Sequence, residues 1–186
     1  MKKLIRIVKN LFRPFITIWT HPVIDGYYGG IWKYRDHVKE HPSKMGMILY
    51  NQYFSDYGAW VGIEAAIAGE PRCPHGCFGL FISKAASIGK NCVIFQHVTI
   101  GSVTTIGSKH TGAPTIGDNV YIGAGAKIIG NIHIGDGVRI GANCVVVNDV
   151  PANSTVYMSG ATIIQKKEKM DNTFSIECLT EKVERK

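Results

Sequence analysis

Long apolar runs are missing from this chain. Near its N-terminus the longest uncharged stretch, Pro14 to Ile24, is eleven residues, too short to cross a bilayer. The opening Met1-Lys2-Lys3-Leu4-Ile5-Arg6-Ile7 begins like a secretory signal, but Lys9 and Arg13 interrupt the apolar segment that export requires. A cytoplasmic protein is expected. Cysteine is scarce and odd in number, at five, which argues against a disulfide framework and for reduced thiols. Charged residues reach only 19% against 45% hydrophobic, excluding a charge-rich disordered chain, and 186 residues exclude a large multidomain machine. Basic runs longer than two residues are also lacking, as is any nucleic-acid-binding motif, so a nucleic-acid partner is not expected despite a net charge of +7.

Glycine is plentiful, at 21 residues, and implies a backbone that turns often. The positive charge is confined to one end. Residues 1–50 hold nine Lys/Arg and three Asp/Glu, whereas residues 51–165 hold six of each. Leu4, Ile5, Val8, Leu11 and Phe12 fall at helical spacing among Lys3, Arg6 and Lys9. That pattern fits a helix packed on its own protein, with peripheral contact to the inner face of a membrane as the alternative. Ile31 to His37 and Met47 to Phe54 read as two short amphipathic helices joined near Pro42. Residues 1–62 are therefore expected to form a short helical N-terminal region. The tail, residues 166–186, carries mixed charge without a repeat.

Residues 63–165 are organised by a period of six. Ile116, Ile122, Ile128, Ile134, Ile140 and Val146 recur without a slip, and Val120, Ala126, Ile132, Val138, Cys144 and Val150 follow each by four. The same register runs upstream through Ile82, Ile88, Ile94, Ile100 and Ile106. Then it breaks between Ile106 and Ile116. A helix would scatter a six-residue period, since steps of about 100° rotate successive aliphatics by roughly 240°. Short strands satisfy it. Each hexapeptide supplies one strand with an inward aliphatic, three make a coil, and stacked coils form a triangular prism filled with Ile and Val. The expected class is mainly β, a parallel β-helix, with Cys92 and Cys144 as inward packing residues. Asp118 and Asp136 are expected to shape corners through side-chain hydrogen bonds.

Phe95-Gln96-His97-Val98-Thr99-Ile100-Gly101 and Ile116-Gly117-Asp118-Asn119-Val120-Tyr121-Ile122-Gly123-Ala124-Gly125-Ala126-Lys127-Ile128 resemble the hexapeptide-repeat acyltransferases, in particular the serine acetyltransferase branch. The resemblance implies a left-handed coil, a homotrimer, and acetyl-CoA lying between two prisms. Gly101, Ala124 and Ala142 would then approach the pantetheine arm closely, and Lys127 and Lys166-Lys167 would meet the phosphates. It also implies a catalytic histidine in each of two places, matched here by His75 and His110, with His75 as base. Glu64 roughly matches the acidic residue that holds such a base.

Histidine suits the reaction on physical grounds. A hydroxyl is a poor nucleophile near neutral pH, and an imidazole with an ordinary pKa near 6.5 can take its proton and return it to a leaving thiolate. His110 lies where the repeat breaks, between Ser102 and Thr115, the place where a solenoid is expected to carry function. It would orient the acceptor or stabilise the tetrahedral intermediate, with Lys109 beside it on the acceptor, while His97 reads as a pocket wall or plain surface.

The acceptor is expected to differ from serine. Serine acetyltransferases carry an acid before the first histidine and an arginine before the second, and these positions hold Pro74 and Lys109. The short, basic, aromatic-rich front end is similar to that of surface-polysaccharide acetyltransferases, so a saccharide hydroxyl is the first expectation. Serine is the alternative, and a non-catalytic assembly β-helix a further one. No metal is expected, although Cys73, His75 and Cys77 alternate and would share one face of an extended segment.

Overall fold

The computed structural model describes residue 16, residues 18–160 and residues 163–165. The amphipathic run expected at Leu4 to Phe12, the membrane contact attached to it, and Lys166-Lys167 with the rest of the tail lie outside these.

Among the described residues a π-helical turn, Pro22–Tyr27, and two α-helices, Ile31–Glu40 and Lys44–Asp56, precede the coils. In α1 (Ile31–Glu40) Ile31, Tyr34, Arg35 and Val38 are buried, the i, i+3, i+4, i+7 stripe of a one-faced helix, and Pro42 stands just beyond its end. In α2 (Lys44–Asp56) the Ser43 hydroxyl caps the first turn by accepting from Gly46 N at 3.0 Å. Gly46, Tyr50, Tyr53 and Phe54 face inward. Three polar side chains tie this pair together and onto the prism: Tyr34 donates to Gly46 O, Tyr50 donates to Val61 O at 3.1 Å, and the Arg35 guanidinium donates to Ile63 O and Ala65 O.

Thirteen strands, almost all of two residues, follow: β1 (Trp60–Val61), β2 (Ala66–Ile67), β3 (Phe81–Ile82), β4 (Ser87–Ile88), β5 (Val93–Ile94), β6 (Thr99–Gly101), β7 (Thr115–Ile116), β8 (Tyr121–Ile122), β9 (Lys127–Ile129), β10 (His133–Ile134), β11 (Arg139–Ile140), β12 (Val145–Val146) and β13 (Thr155–Val156). They assemble into three parallel sheets, ordered β1-β3-β6-β9-β12, β2-β4-β7-β10 and β5-β8-β11-β13. The chain passes from the five-stranded face to the second, then the third, and back. One residue of each strand points inward, and Ile82, Ile94, Ile100, Ile122, Ile128, Ile134 and Ile140 are completely buried.

The corners are where the repeat chemistry acts. Asn91, Asn119, Asn143 and Asn153 adopt positive φ near 55–59°, a left-handed conformation that asparagine tolerates. Carboxylates bridge coils: Lys90 N donates to Asp118 Oδ1 and Asp118 N to Asp136 Oδ1, each at 2.7 Å. Close stacking excludes side chains at some corners, since a Cβ on Gly123 would stand 2.7 Å from Ala142 N. Cys92 and Cys144 pack inward, and burial pushes the Cys92 thiol up.

The strand register reveals two insertions. Phe81 pairs with Thr99, eighteen residues on, as a coil of three hexapeptides demands. Trp60 pairs with Phe81, twenty-one residues on, and Thr99 with Lys127, twenty-eight on. The larger insertion corrects the register expected from the sequence. Ile106 is not an inward residue but 98% exposed, because the excursion begins directly after β6.

Candidate functional site

Each insertion carries one of the two histidines. The smaller, Cys73 to Leu80, turns the chain back onto the five-stranded face. Gly76 N donates to Cys73 O at 3.0 Å, Gly76 takes φ of +72°, and Gly79 N donates to Tyr57 O at 3.0 Å. His75 stands exposed at the tip of this turn. Its Nδ1 lies 2.9 Å from Gln96 Oε1, and its ring meets Phe95 edge-on with centroids 5.4 Å apart. At the foot of the turn the neighbouring Cys77 thiol, together with burial, pushes the Cys73 thiol up.

His75 borders an open cleft of about 730 Å³. Tyr57, Phe78 and Phe81 supply aromatic walls, and Gln96, His97, Thr99 and Lys127 supply the polar ones. Lys127 Nζ donates to His97 O at 2.6 Å, so this lysine is committed to the coil corner. His97 is exposed and holds φ of 60°, at a corner position that Gly125 and Asn143 occupy in the next two coils. Among the described residues no carboxylate lines the cleft.

The larger insertion is a small hairpin. Val103 and Gly112 exchange both backbone hydrogen bonds at 2.9 Å, and Thr111 Oγ1 donates to Ser108 O at 2.8 Å. His110 is half-buried against the next coil: its carbonyl accepts from Asn131 N at 2.9 Å, and a Cβ on Gly130 would stand 2.9 Å from that carbonyl. Lys109 is exposed beside it.

Within one chain the two histidines do not meet. His75 stands where the chain enters the five-stranded face, ahead of β3, and His110 where it leaves, after β6. The residues expected along the donor divide the same way. Ala124 and Ala142 lie at the entering corner, whereas Gly101 lines a second, mostly apolar groove of about 530 Å³ at the leaving edge, with Trp60, Phe81, Val103 and Thr111. Glu64 stands apart from His75 within one chain. It follows β1 at the leaving edge, is exposed, and makes no side-chain hydrogen bond among the described residues. Its neighbours Ile63 and Ala65 are held by Arg35, and the partner of His75 is Gln96.

Sequence reasoning did not assign Gln96, Tyr57, Phe78 or Phe81 a role. For Gln96 the available signal was its outward position in the coil beneath His75, legible only once the twenty-one-residue register is known. Among the described residues no three or more His, Cys, Asp or Glu side chains are grouped to hold a metal, and no helix is long and apolar enough to cross a membrane.

Residues 113–148 match the family described as bacterial transferase hexapeptide (six repeats). The serine acetyltransferase of Staphylococcus aureus (strain Mu50) is 41% identical over 160 residues, covering 85% of this chain and 68% of the relative. The chain belongs to the serine acetyltransferase family of hexapeptide-repeat transferases. Among solved structures, a serine acetyltransferase isoform 3 of Entamoeba histolytica in complex with cysteine matches with TM-score 0.60 and 32% identity, over 74% of this chain and 48% of that one. The enzyme of Neisseria gonorrhoeae in complex with serine matches with TM-score 0.58 and 31% identity, over 72% and 53%. Membership makes the prism a left-handed parallel β-helix, the rare hand among parallel crossovers. The chain spans only 30% to 45% of four further curated relatives, so the longer members of this serine acetyltransferase family contain residues with no counterpart here.

Proposed function

We propose that this chain transfers the acetyl group of acetyl-CoA to a hydroxyl acceptor, L-serine first, with His75 as general base. The observation that carries the reading is the 41% identity to a serine acetyltransferase across 85% of the chain, including the His75 turn and the His110 hairpin. His75 takes the hydroxyl proton as the oxygen attacks the thioester carbonyl. The tetrahedral intermediate then expels the thiolate, which recovers the proton from the imidazolium. An ester and a free thiol result, and no other reactant is consumed. His110 supports the acceptor or the developing oxyanion.

A homotrimer supplies the geometry this mechanism needs. The two histidines occupy opposite edges of one face, so a joint site requires the leaving edge of one copy against the entering edge of the next. Repetition of that heterologous contact closes a ring, three-fold as the resemblance to hexapeptide-repeat acyltransferases implies. Acetyl-CoA would lie in the same cleft between copies, contacted by Gly101 from one side and by Ala124 and Ala142 from the other. Lys127, already bonded to His97 O, would contribute charge at the cleft wall.

The relatives reported above are serine acetyltransferases, so the resemblance to surface-polysaccharide enzymes gains no support from them, and serine replaces the sugar hydroxyl as first acceptor. One observation keeps the sugar as a second reading. Among the described residues the His75 cleft offers no carboxylate for an ammonium group but three aromatic rings against which a pyranose could stack, and Pro74 and Lys109 stand where an acid and an arginine are expected. Thiol release from acetyl-CoA by the purified protein decides between them, with L-serine in one series and nucleotide sugars or oligosaccharides in the other. We expect release with L-serine, abolished in His75→Ala and strongly reduced in His110→Ala. Release with saccharides alone overturns the serine assignment.

A further inference from the structure

His75 is exposed, and an exposed imidazole on a turn ordinarily samples both tautomers and several orientations. Here two side chains from one coil hold it. Gln96 Oε1 lies 2.9 Å from Nδ1, the only side-chain hydrogen bond His75 makes among the described residues, and Phe95 packs edge-on against the ring at an interplanar angle of 87°. Both partners stand on a fixed backbone. Phe95 N donates to Ile122 O at 3.1 Å, and Gln96 O accepts from Gly125 N at 3.0 Å, so the next coil clamps the pair from below.

We propose that Gln96 is the positioning residue of His75: its amide oxygen accepts the Nδ1 proton, fixing the neutral tautomer whose Nε2 is bare and free to take a proton from the acceptor. This deepens the assignment of His75 as base and rests on it. The chemistry of the partner matters. A carboxylate in this place would orient the ring and also stabilise the imidazolium, whereas a neutral amide orients it without a net charge to hold the proton. The proton taken from the acceptor is then readily returned to the departing thiolate. If the amide were turned the other way, its NH2 would donate to Nδ1 and the proton would sit on Nε2, leaving no lone pair there to take a proton from the acceptor. The other titratable groups around the ring are Tyr57, His97 and Lys127 in the cleft and Cys73 and Cys77 at the foot of the turn. None of them hydrogen-bonds the His75 side chain, which leaves the tautomer to Gln96.

Two measurements on the full chain test this. Long-range proton–nitrogen correlation of the imidazoles in 15N-labelled protein reads the tautomer directly, with His75 assigned by its loss in His75→Asn. The wild type should show Nδ1 protonated. Gln96→Leu should mix the tautomers and lower kcat for acetyl-CoA and L-serine by about tenfold at unchanged KM. Gln96→Glu should restore the tautomer, recover kcat at alkaline pH, and move the acid limb of the rate profile up by about one pH unit, since the added carboxylate favours the imidazolium. An Nε2-protonated wild type, or a Gln96→Leu protein with unchanged tautomer and rate, overturns the proposal. Should the tautomer respond as stated while the wild type releases no thiol with serine or saccharide, the acetyl-transfer reading fails and the positioning role stands.

Discussion

Replacing Arg35 with methionine tests what joins the helical region to the prism. The side chain is 2% exposed, and its Nη2 donates to Ile63 O and Ala65 O, two carbonyls for which the described residues offer no other donor. Among the described residues its Nε has no partner, and Nη1 reaches only the largely solvated Asp36 carboxylate at 3.3 Å. Methionine keeps most of the apolar stem and removes the donors. Each carbonyl left without a partner costs about 1–3 kcal/mol, for a gross loss of about 2–6 kcal/mol. Releasing a desolvated guanidinium with one unsatisfied nitrogen returns about 1–2 kcal/mol. The net expectation is a destabilisation of about 1–4 kcal/mol. Equilibrium urea unfolding at fixed protein concentration, followed by tryptophan fluorescence and far-UV circular dichroism together, reads it as a lower midpoint at unchanged slope. Arg35→Lys should fall between, because an ammonium keeps the charge but does not span both carbonyls. A methionine variant within about 0.5 kcal/mol of the wild type would refute the reasoning, since that is the range of ordinary surface substitutions.

Two further predictions concern stability. Burial pushes the Tyr50 phenol well above its ordinary value near 10, so it stays neutral in the folded chain while the unfolded chain ionises. Its contribution is therefore fully present below pH 10 and is lost as pH rises beyond it. Tyr50→Phe, which forfeits the bond to Val61 O, should be about 1 kcal/mol less stable than wild type at pH 8, with the gap closing above pH 10 in urea titrations. His97→Asn should gain about 0.5–1 kcal/mol by thermal unfolding, because asparagine tolerates the left-handed conformation at φ 60° better than histidine does. No gain there would mean that the His97 ring repays the strain through contacts in the cleft.

The prism and its contents were legible in the amino-acid order, because a hexapeptide strand is a local object. Its inward aliphatic, its small residue four positions on and its tight corner all lie within one repeat, so the buried column from Ile116 to Val146 could be written down before any coordinate. The helices around Tyr34 and Tyr50 were legible for the same reason, each carrying its own apolar stripe. The break in the repeat singled out His110, and resemblance paired it with His75. Tertiary structure decided what depends on coil register. A three-residue insertion shifts the first coil to twenty-one residues and lifts His75 over Gln96, a pairing of residues far apart in the chain that no local pattern announces. The separate, larger insertion after β6 turns Ile106 out of the core, and Glu64, directly after β1, lies at the other edge of the face. Periodicity fixes which residues point inward. Which outward side chains become neighbours is set by the stacking of coils, because hydrogen bonds between coils join residues eighteen, twenty-one or twenty-eight positions apart.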